Sequence, residues 1–156
     1  MIEKLRFLVR YWDLLARTSS TGALTHHETL ELHALMHVLN SDAKLPPPSI
    51  VSRKLYALPA ALLLQRGAAR VELRQVNASG FVIAAARPLP LETLSVLRVS
   101  DPETGHDYTF PCRLAWKHDV GTSTIALTID GRPSISAPES LSRIAMNPKA
   151  RLSLLA

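Results

Sequence analysis

The sequence predicts a mainly β protein, with an N-terminal helical hairpin, a six-stranded antiparallel β-barrel and a short C-terminal helix. Apolar residues recur at three- and four-residue steps before the prolines at 46–48, and at every second residue after them. Turn-forming residues separate the alternating stretches, as in small all-β domains. The chain has 156 residues and is 47% hydrophobic, which is enough to bury a core.

Two amphipathic helices are expected before the prolines. The first should end within Ser19-Ser20-Thr21-Gly22, and the second should begin at Thr25. Thr25 and Glu28 form a capping box, in which each side chain accepts a hydrogen bond from the other residue's backbone N–H. Two short helices rarely bury enough surface alone, so the hairpin must pack on the barrel or on a second copy. The apolar stripes are Leu5, Leu8, Val9, Trp12, Leu15 and Ala16, then Leu32, Leu35, Met36 and Leu39.

Six strands are expected beyond the prolines. Apolar and polar residues alternate at 69–74, 107–117 and 124–129, and continuous apolar stretches occupy Leu58–Leu64, Phe81–Ala86 and Leu94–Val99. A closed barrel is favoured because it removes the edges that short strands would expose. A second capping box, Ser136-Ala137-Pro138-Glu139, precedes an apolar stripe and predicts the C-terminal helix. That stripe consists of Leu141, Ile144 and Ala145.

These elements divide the chain into a helical hairpin (1–45), a proline-rich linker (46–50), the barrel (51–132) and a C-terminal helix with a tail (133–156). The net charge of +5 lies in the second part, because five basic and five acidic residues balance through Ile50. A basic barrel suggests an anionic partner, which could be a nucleotide, a nucleic acid or an acidic protein surface. A soluble surface with a modest charge is the alternative.

The N-terminal segment predicts a cytoplasmic amphipathic helix rather than a signal peptide. Arg6 and Arg10 interrupt its apolar stretch, and no small-residue cleavage site follows. No apolar run approaches the roughly 18 residues that a membrane span requires, so we expect no membrane insertion. The single cysteine, Cys112, excludes a disulfide within the chain and fits a reducing cytoplasm.

The sequence has no Gly-x-Ser-x-Gly, His-Glu-x-x-His or Cys-x-x-Cys motif and no phosphate-binding Gly-rich loop, and we expect a non-enzymatic protein. His33 and His37 stand one helical turn apart and could share a metal, but no third ligand is placed, so we expect no metal cofactor. His118-Asp119 could be drawn as a catalytic pair, yet it falls where a turn is expected. Cys112 lies on the apolar face of its strand and is predicted to be an inert core thiol.

A nucleic-acid surface is not favoured. Arg66, Arg70 and Arg74 could form a basic stripe along one strand. Small barrels that bind single strands normally also offer aromatic rings on which bases stack, and this strand has none.

The run from Ser52 to Arg132 resembles a PilZ domain. It contains, in the family's order, a basic segment, a turn motif, a proline-bearing turn, a strand that ends near a tryptophan and a final strand. These are Ser52-Arg53-Lys54-Leu55-Tyr56-Ala57-Leu58-Pro59, Val76-Asn77-Ala78-Ser79-Gly80-Phe81-Val82-Ile83, Arg87-Pro88-Leu89-Pro90, Cys112-Arg113-Leu114-Ala115-Trp116 and Ile125-Ala126-Leu127-Thr128-Ile129-Asp130-Gly131. The matched run covers about half of the chain.

The resemblance implies a receptor for cyclic di-GMP. Family members carry Arg-x-x-x-Arg before the first strand and Asp/Asn-x-Ser-x-x-Gly before the third. Guanidinium groups can clamp phosphates and guanine edges bidentately, and the glycine lets the backbone approach the ligand. The resemblance thereby assigns nucleotide contacts to Arg53, Lys54, Asn77, Ser79 and Gly80.

The match fails at two of these points. Ala57 occupies the place of the second arginine, and Val82 stands where the family has its glycine, while Gly80 directly follows Ser79. The lost charge-assisted pair alone costs roughly 1.5 to 3 kcal/mol. A second Arg-x-x-x-Arg spans Arg66 to Arg70, but it leaves no room for the strand that should precede Asn77.

We therefore expect a PilZ-like regulatory adaptor with lost or weakened cyclic di-GMP binding, acting through protein contacts of its hairpin and its basic barrel face. The resemblance implies a role in bacterial motility, type IV pilus function or surface behaviour, with a partner from that machinery. The alternative is a working cyclic di-GMP receptor that uses Arg53, Lys54, Asn77 and Ser79. Pairing of the hairpin into a homodimer is left open.

Overall fold

A computed structural model describes residues 2–20, 22–39, 58–90 and 93–137. Helix α1 spans Ile2–Ser20 and helix α2 spans His26–Leu39. The predicted capping box is confirmed, because the Glu28 backbone N–H donates to Thr25 Oγ1 and the Thr25 N–H donates to Glu28 Oε1, both at 3.1 Å. The first helix ends within the predicted stretch, and Gly22 follows with a positive φ of 74°. The hairpin is therefore formed as its local sequence predicts.

The predicted barrel is confirmed as a closed, six-stranded antiparallel sheet. Its strands are β1 (Leu58–Leu64), β2 (Gly67–Val76), β3 (Gly80–Ala85), β4 (Leu94–Ser100), β5 (Asp107–Val120) and β6 (Thr122–Ile129). They pair in the order β4-β1-β2-β3-β6-β5, and the pairing of β4 with β5 closes the ring. Every second residue faces the interior, where the rings of Phe81 and Phe110 lie 4.8 Å apart.

A seventh strand, β7 (Ser134–Ser136), lies outside the barrel and was not predicted. It pairs with Asp107–Thr109 of β5, because β6 pairs only with the part of β5 from Cys112 onward. The sheet thus continues past Arg132, the predicted end of the barrel. Ser136, the expected cap of the C-terminal helix, is the last residue of this strand, and that helix falls at residues outside the described ranges.

The hairpin packs on its own barrel, which answers the question that the sequence left open. Leu5, Leu8 and Leu14 of α1 are fully buried in the same apolar cluster as the barrel interior. Arg132 donates to Asp13 across the junction at 2.5 Å. The two helices are joined by Arg10 with Glu31, at 2.7 and 3.1 Å, and by Arg17 with Glu28. Hairpin and barrel therefore share one core.

Three predicted features fall outside the described residues. They are the proline-rich linker, the basic segment with Arg53 and Lys54, and the C-terminal helix with its tail. Within the described ranges, neither helix combines the length and the apolar character that crossing a membrane would require.

Candidate binding surfaces

The structure places three of the five predicted nucleotide-binding residues in one turn. Asn77 and Ser79 lie between β2 and β3 at one end of the barrel, and Gly80 is the first residue of β3. Arg53 and Lys54, the basic half of the predicted site, are not among the described residues. The turn can therefore be assessed by itself.

Asn77 holds the turn together through its side chain. Its Oδ1 atom accepts hydrogen bonds from the backbone N–H groups of Ser79, at 2.9 Å, and Gly80, at 3.0 Å. Its own N–H donates to the Gly80 carbonyl at 3.0 Å. An asparagine that bonds the backbone two and three residues ahead forms an Asx-type turn, and Asn77 is only 7% exposed. The amide oxygen is thus already engaged within the chain.

Gly80 is required by the sheet itself. It lies opposite Thr128 of β6. A Cβ atom at this position would overlap the carbonyl oxygen of Leu127 and would lie 2.9 Å from the carbonyl carbon. The absence of a side chain therefore lets β3 approach β6, which is a structural reason for glycine at this position.

Helix α1 covers the same turn. The indole Nε1 of Trp12 donates a hydrogen bond of 3.2 Å to the carbonyl of Ala78, the residue between Asn77 and Ser79. Ala78 is 4% exposed. The N-terminal helix thus contacts the segment that the PilZ resemblance assigns to ligand binding.

A second surface is an open groove between the hairpin and β7. It has a volume of about 760 Å³. Its apolar lining includes three side chains that are substantially exposed, namely Phe7 (38%), Val38 (46%) and Ile135 (41%). Exposed apolar side chains that converge on one concave surface are typical of sites that bind another molecule. We call this surface the hairpin groove.

Charged residues surround the hairpin groove. Arg10 donates to Glu31 and to Asp13, and Arg132 also donates to Asp13. The hydrogen bond from Arg10 lowers the pKa of Glu31. Arg6 is exposed at the rim and forms no ion pair with another described residue. The rim therefore presents one guanidinium that is available to a carboxylate.

Two of the positions considered from sequence for metal binding or reactivity are the His33–His37 pair and Cys112. Among the described residues, no group of three or more His, Cys, Asp or Glu side chains could hold a metal ion, so that part of the chain supplies no third ligand beside His33 and His37. Cys112 is buried as predicted, and burial raises the pKa of its thiol to about 12.

The expectation that His118-Asp119 falls in a turn was wrong. Both residues lie in β5, because the β5–β6 hairpin is tight and pairing continues as far as Val120 opposite Thr122. Asp119 accepts a hydrogen bond from Ser123 at 2.5 Å and pairs with Lys117 at 3.1 Å. The Ser123 hydroxyl lowers the pKa of Asp119. The carboxylate is engaged by its own hairpin rather than by the histidine.

Comparison with known proteins assigns no relative. No protein-family model matches the sequence, and no curated protein or solved structure matches it. The likeness to PilZ domains therefore rests on the residues quoted above.

Sequence reasoning missed the hairpin groove and the contact of Trp12 with the turn. Trp12 was assigned to the helix stripe, and its contact with Ala78 joins residues that are 66 positions apart. A weak indication of the groove was present, because Phe7 and Val38 lie outside the two predicted apolar stripes. Large apolar residues off the stripe are the pattern that could have pointed to it.

Proposed function

We propose that this chain is a non-enzymatic, PilZ-like regulatory adaptor that has lost most of its cyclic di-GMP binding and acts through protein contacts. One observation carries the proposal: the Asn77–Gly80 turn is closed on itself and lies against Trp12. A ligand that used this turn would have to displace the indole or break hydrogen bonds that hold the turn. Ala57, in the place of a ligand arginine, adds to this loss.

The hairpin groove is the candidate protein-binding surface. Its apolar lining suits an apolar segment of a partner, and Arg6 at the rim favours a segment that also carries a carboxylate. The PilZ resemblance places such a partner in bacterial motility, type IV pilus function or surface-behaviour control. The hairpin would then both pack on the barrel core and bind the partner.

Titration calorimetry with cyclic di-GMP tests the first part of the proposal. We expect no saturable heat at micromolar ligand, and no rise in melting temperature, since a ligand that binds only the folded state must stabilise it. The matched variant is Arg53→Ala, which removes the remaining family arginine. Micromolar binding that Arg53→Ala abolishes would overturn the proposal in favour of a working receptor built on Arg53, Lys54, Asn77 and Ser79.

The dye 8-anilinonaphthalene-1-sulfonate tests the groove, because it joins an apolar ring system to an anionic group. We expect it to bind the folded protein, and Phe7→Glu to weaken that binding about tenfold or more by placing a charge on the apolar lining. Val120→Glu is the control, since Val120 is also apolar but is 71% exposed at the end of β5 and does not line the groove. Equal dye affinity in both variants, with unchanged circular dichroism, would exclude the groove as the apolar site.

A further inference from the structure

A depression on the outer face of the barrel is separate from both surfaces described above. It has a volume of about 530 Å³ and crosses four strands. The registers place Pro59 of β1, Glu72 of β2, Ala84 of β3 and Thr124 of β6 in one row across its floor. Glu72 of β2 precedes Asn77 by five residues, which is about 16 Å in an extended strand.

Two arginines of β2 line this depression. Arg74 Nη2 donates to Glu72 at 2.9 Å, but its Nε atom is buried and has no hydrogen-bond partner among the described residues. Arg70 is exposed and forms no ion pair within the described ranges. The side chain of Arg74 is 34% exposed, so part of its guanidinium group remains accessible. Two guanidinium groups thus line the depression, and among the described residues only that of Arg74 is paired with a carboxylate.

The part of the floor that β3 and β6 provide is made of small side chains. Ala84 and Ala86 of the β3 segment lie beside Thr122 and Thr124 of β6. Ala126 of β6 lies on the same outer face, because it alternates with the core residues Ile125 and Leu127, and it is fully buried. Trp116 of β5 is its partner in the neighbouring strand. Small residues beside these two apolar side chains leave room for a flat ring to lie on the sheet. A volume of about 530 Å³ is within the ordinary range of small-molecule sites.

We infer that this depression binds a small phosphate ester with a planar ring, of the size of a mononucleotide. The phosphate accepts hydrogen bonds from Arg70 and from Arg74, whose side chain is 34% exposed, and the ring lies over Ala84 and Thr124. Guanidinium groups suit phosphate because they donate in a planar fork. Glu72 offsets only one of the two guanidinium charges. The site does not depend on the Asn77–Gly80 turn, on the hairpin groove or on the adaptor role.

Titration of the ¹⁵N-labelled full-length protein with AMP and with GMP tests this inference by NMR. We expect saturable shifts at residues 70–74, 84–86 and 122–124, and much smaller shifts with adenosine or with inorganic phosphate alone. Arg70→Gln should weaken binding about tenfold to a hundredfold, as expected for a lost charge-assisted hydrogen bond. Ala84→Leu fills the floor without changing the charge and should weaken binding as well.

Arg113→Gln is the matched control, because Arg113 is an exposed barrel arginine that pairs with Asp130 and does not line the depression. The inference is overturned if neither nucleotide shifts the named residues at millimolar concentration. It is also overturned if Arg70→Gln and Arg113→Gln bind equally. Cyclic di-GMP tests the turn separately, because shifts confined to residues 77–80 would contradict the proposed loss of binding at the turn.

Discussion

Alanine at position 80 is expected to lower the free energy of unfolding by about 3 kcal/mol or more, because its Cβ would overlap the backbone of Leu127. The obstacle is a carbonyl group in the neighbouring strand, so no side-chain rotation relieves it. Either β3 and β6 separate, with the loss of pairing at Gly80 and Thr128, or the turn at Asn77 opens. For a chain of this length, the melting temperature should fall by about 6 °C or more.

Urea unfolding followed by tryptophan fluorescence measures this change, and Gly121→Ala is the comparison. Gly121 has a positive φ of 74°, but a Cβ there meets no atom within 4 Å. Its replacement should cost only about 1 to 2 kcal/mol, the penalty for a left-handed backbone. If Gly80→Ala proved no more costly than Gly121→Ala, the claim that the close approach of β3 to β6 requires glycine at position 80 would be wrong. A role of this glycine in ligand binding would then be favoured.

Replacing Leu8 with alanine is expected to cost about 2 to 5 kcal/mol, although Leu8 belongs to the hairpin and not to the barrel. Its side chain is fully buried in the cluster that includes the barrel interior, so its removal leaves a cavity in that cluster. The loss should appear in a single cooperative unfolding transition that both Trp12 and Trp116 report. That result would mean that hairpin and barrel unfold as one unit.

Phe7→Ala provides the comparison on the same helix. Phe7 is 38% exposed in the hairpin groove, so its truncation should cost much less than that of Leu8. Equal costs for the two variants, or a hairpin that melts before the barrel, would contradict the shared core. Such an outcome would also weaken the interpretation of the turn, because Trp12 reaches Ala78 only while α1 is docked.

The strands and the capping box could be predicted because their causes are local. Apolar residues at every second position, such as Ile125, Leu127 and Ile129, predict a strand without any knowledge of its partner strand. The strand β7 could not be predicted in this way. It has three residues, and it exists because β6 leaves the first part of β5 unpaired.

The candidate sites also combine features that local sequence predicts with features that only contacts between distant segments explain. Asn77, Ser79 and Gly80 stood out by their spacing, but spacing did not reveal that Asn77 bonds its own turn or that Gly80 faces the backbone of Leu127. Arg70 and Arg74 stood out as a basic stripe on a strand without aromatic residues. The registers then placed small residues of β3 and β6 beside them and Trp116 on the same outer face, three strands from β2.

The sequence by itself determined a helical hairpin followed by a small antiparallel barrel, because periodicity and turn chemistry act over a few residues. Only the tertiary structure decided that the hairpin packs on this barrel, that Trp12 covers the Asn77–Gly80 turn, and that a groove and an arginine-lined depression lie on the surface. Those features are contacts between segments far apart in the chain. Their energies depend on close packing and on which polar groups remain without a partner, and neither is encoded in local spacing.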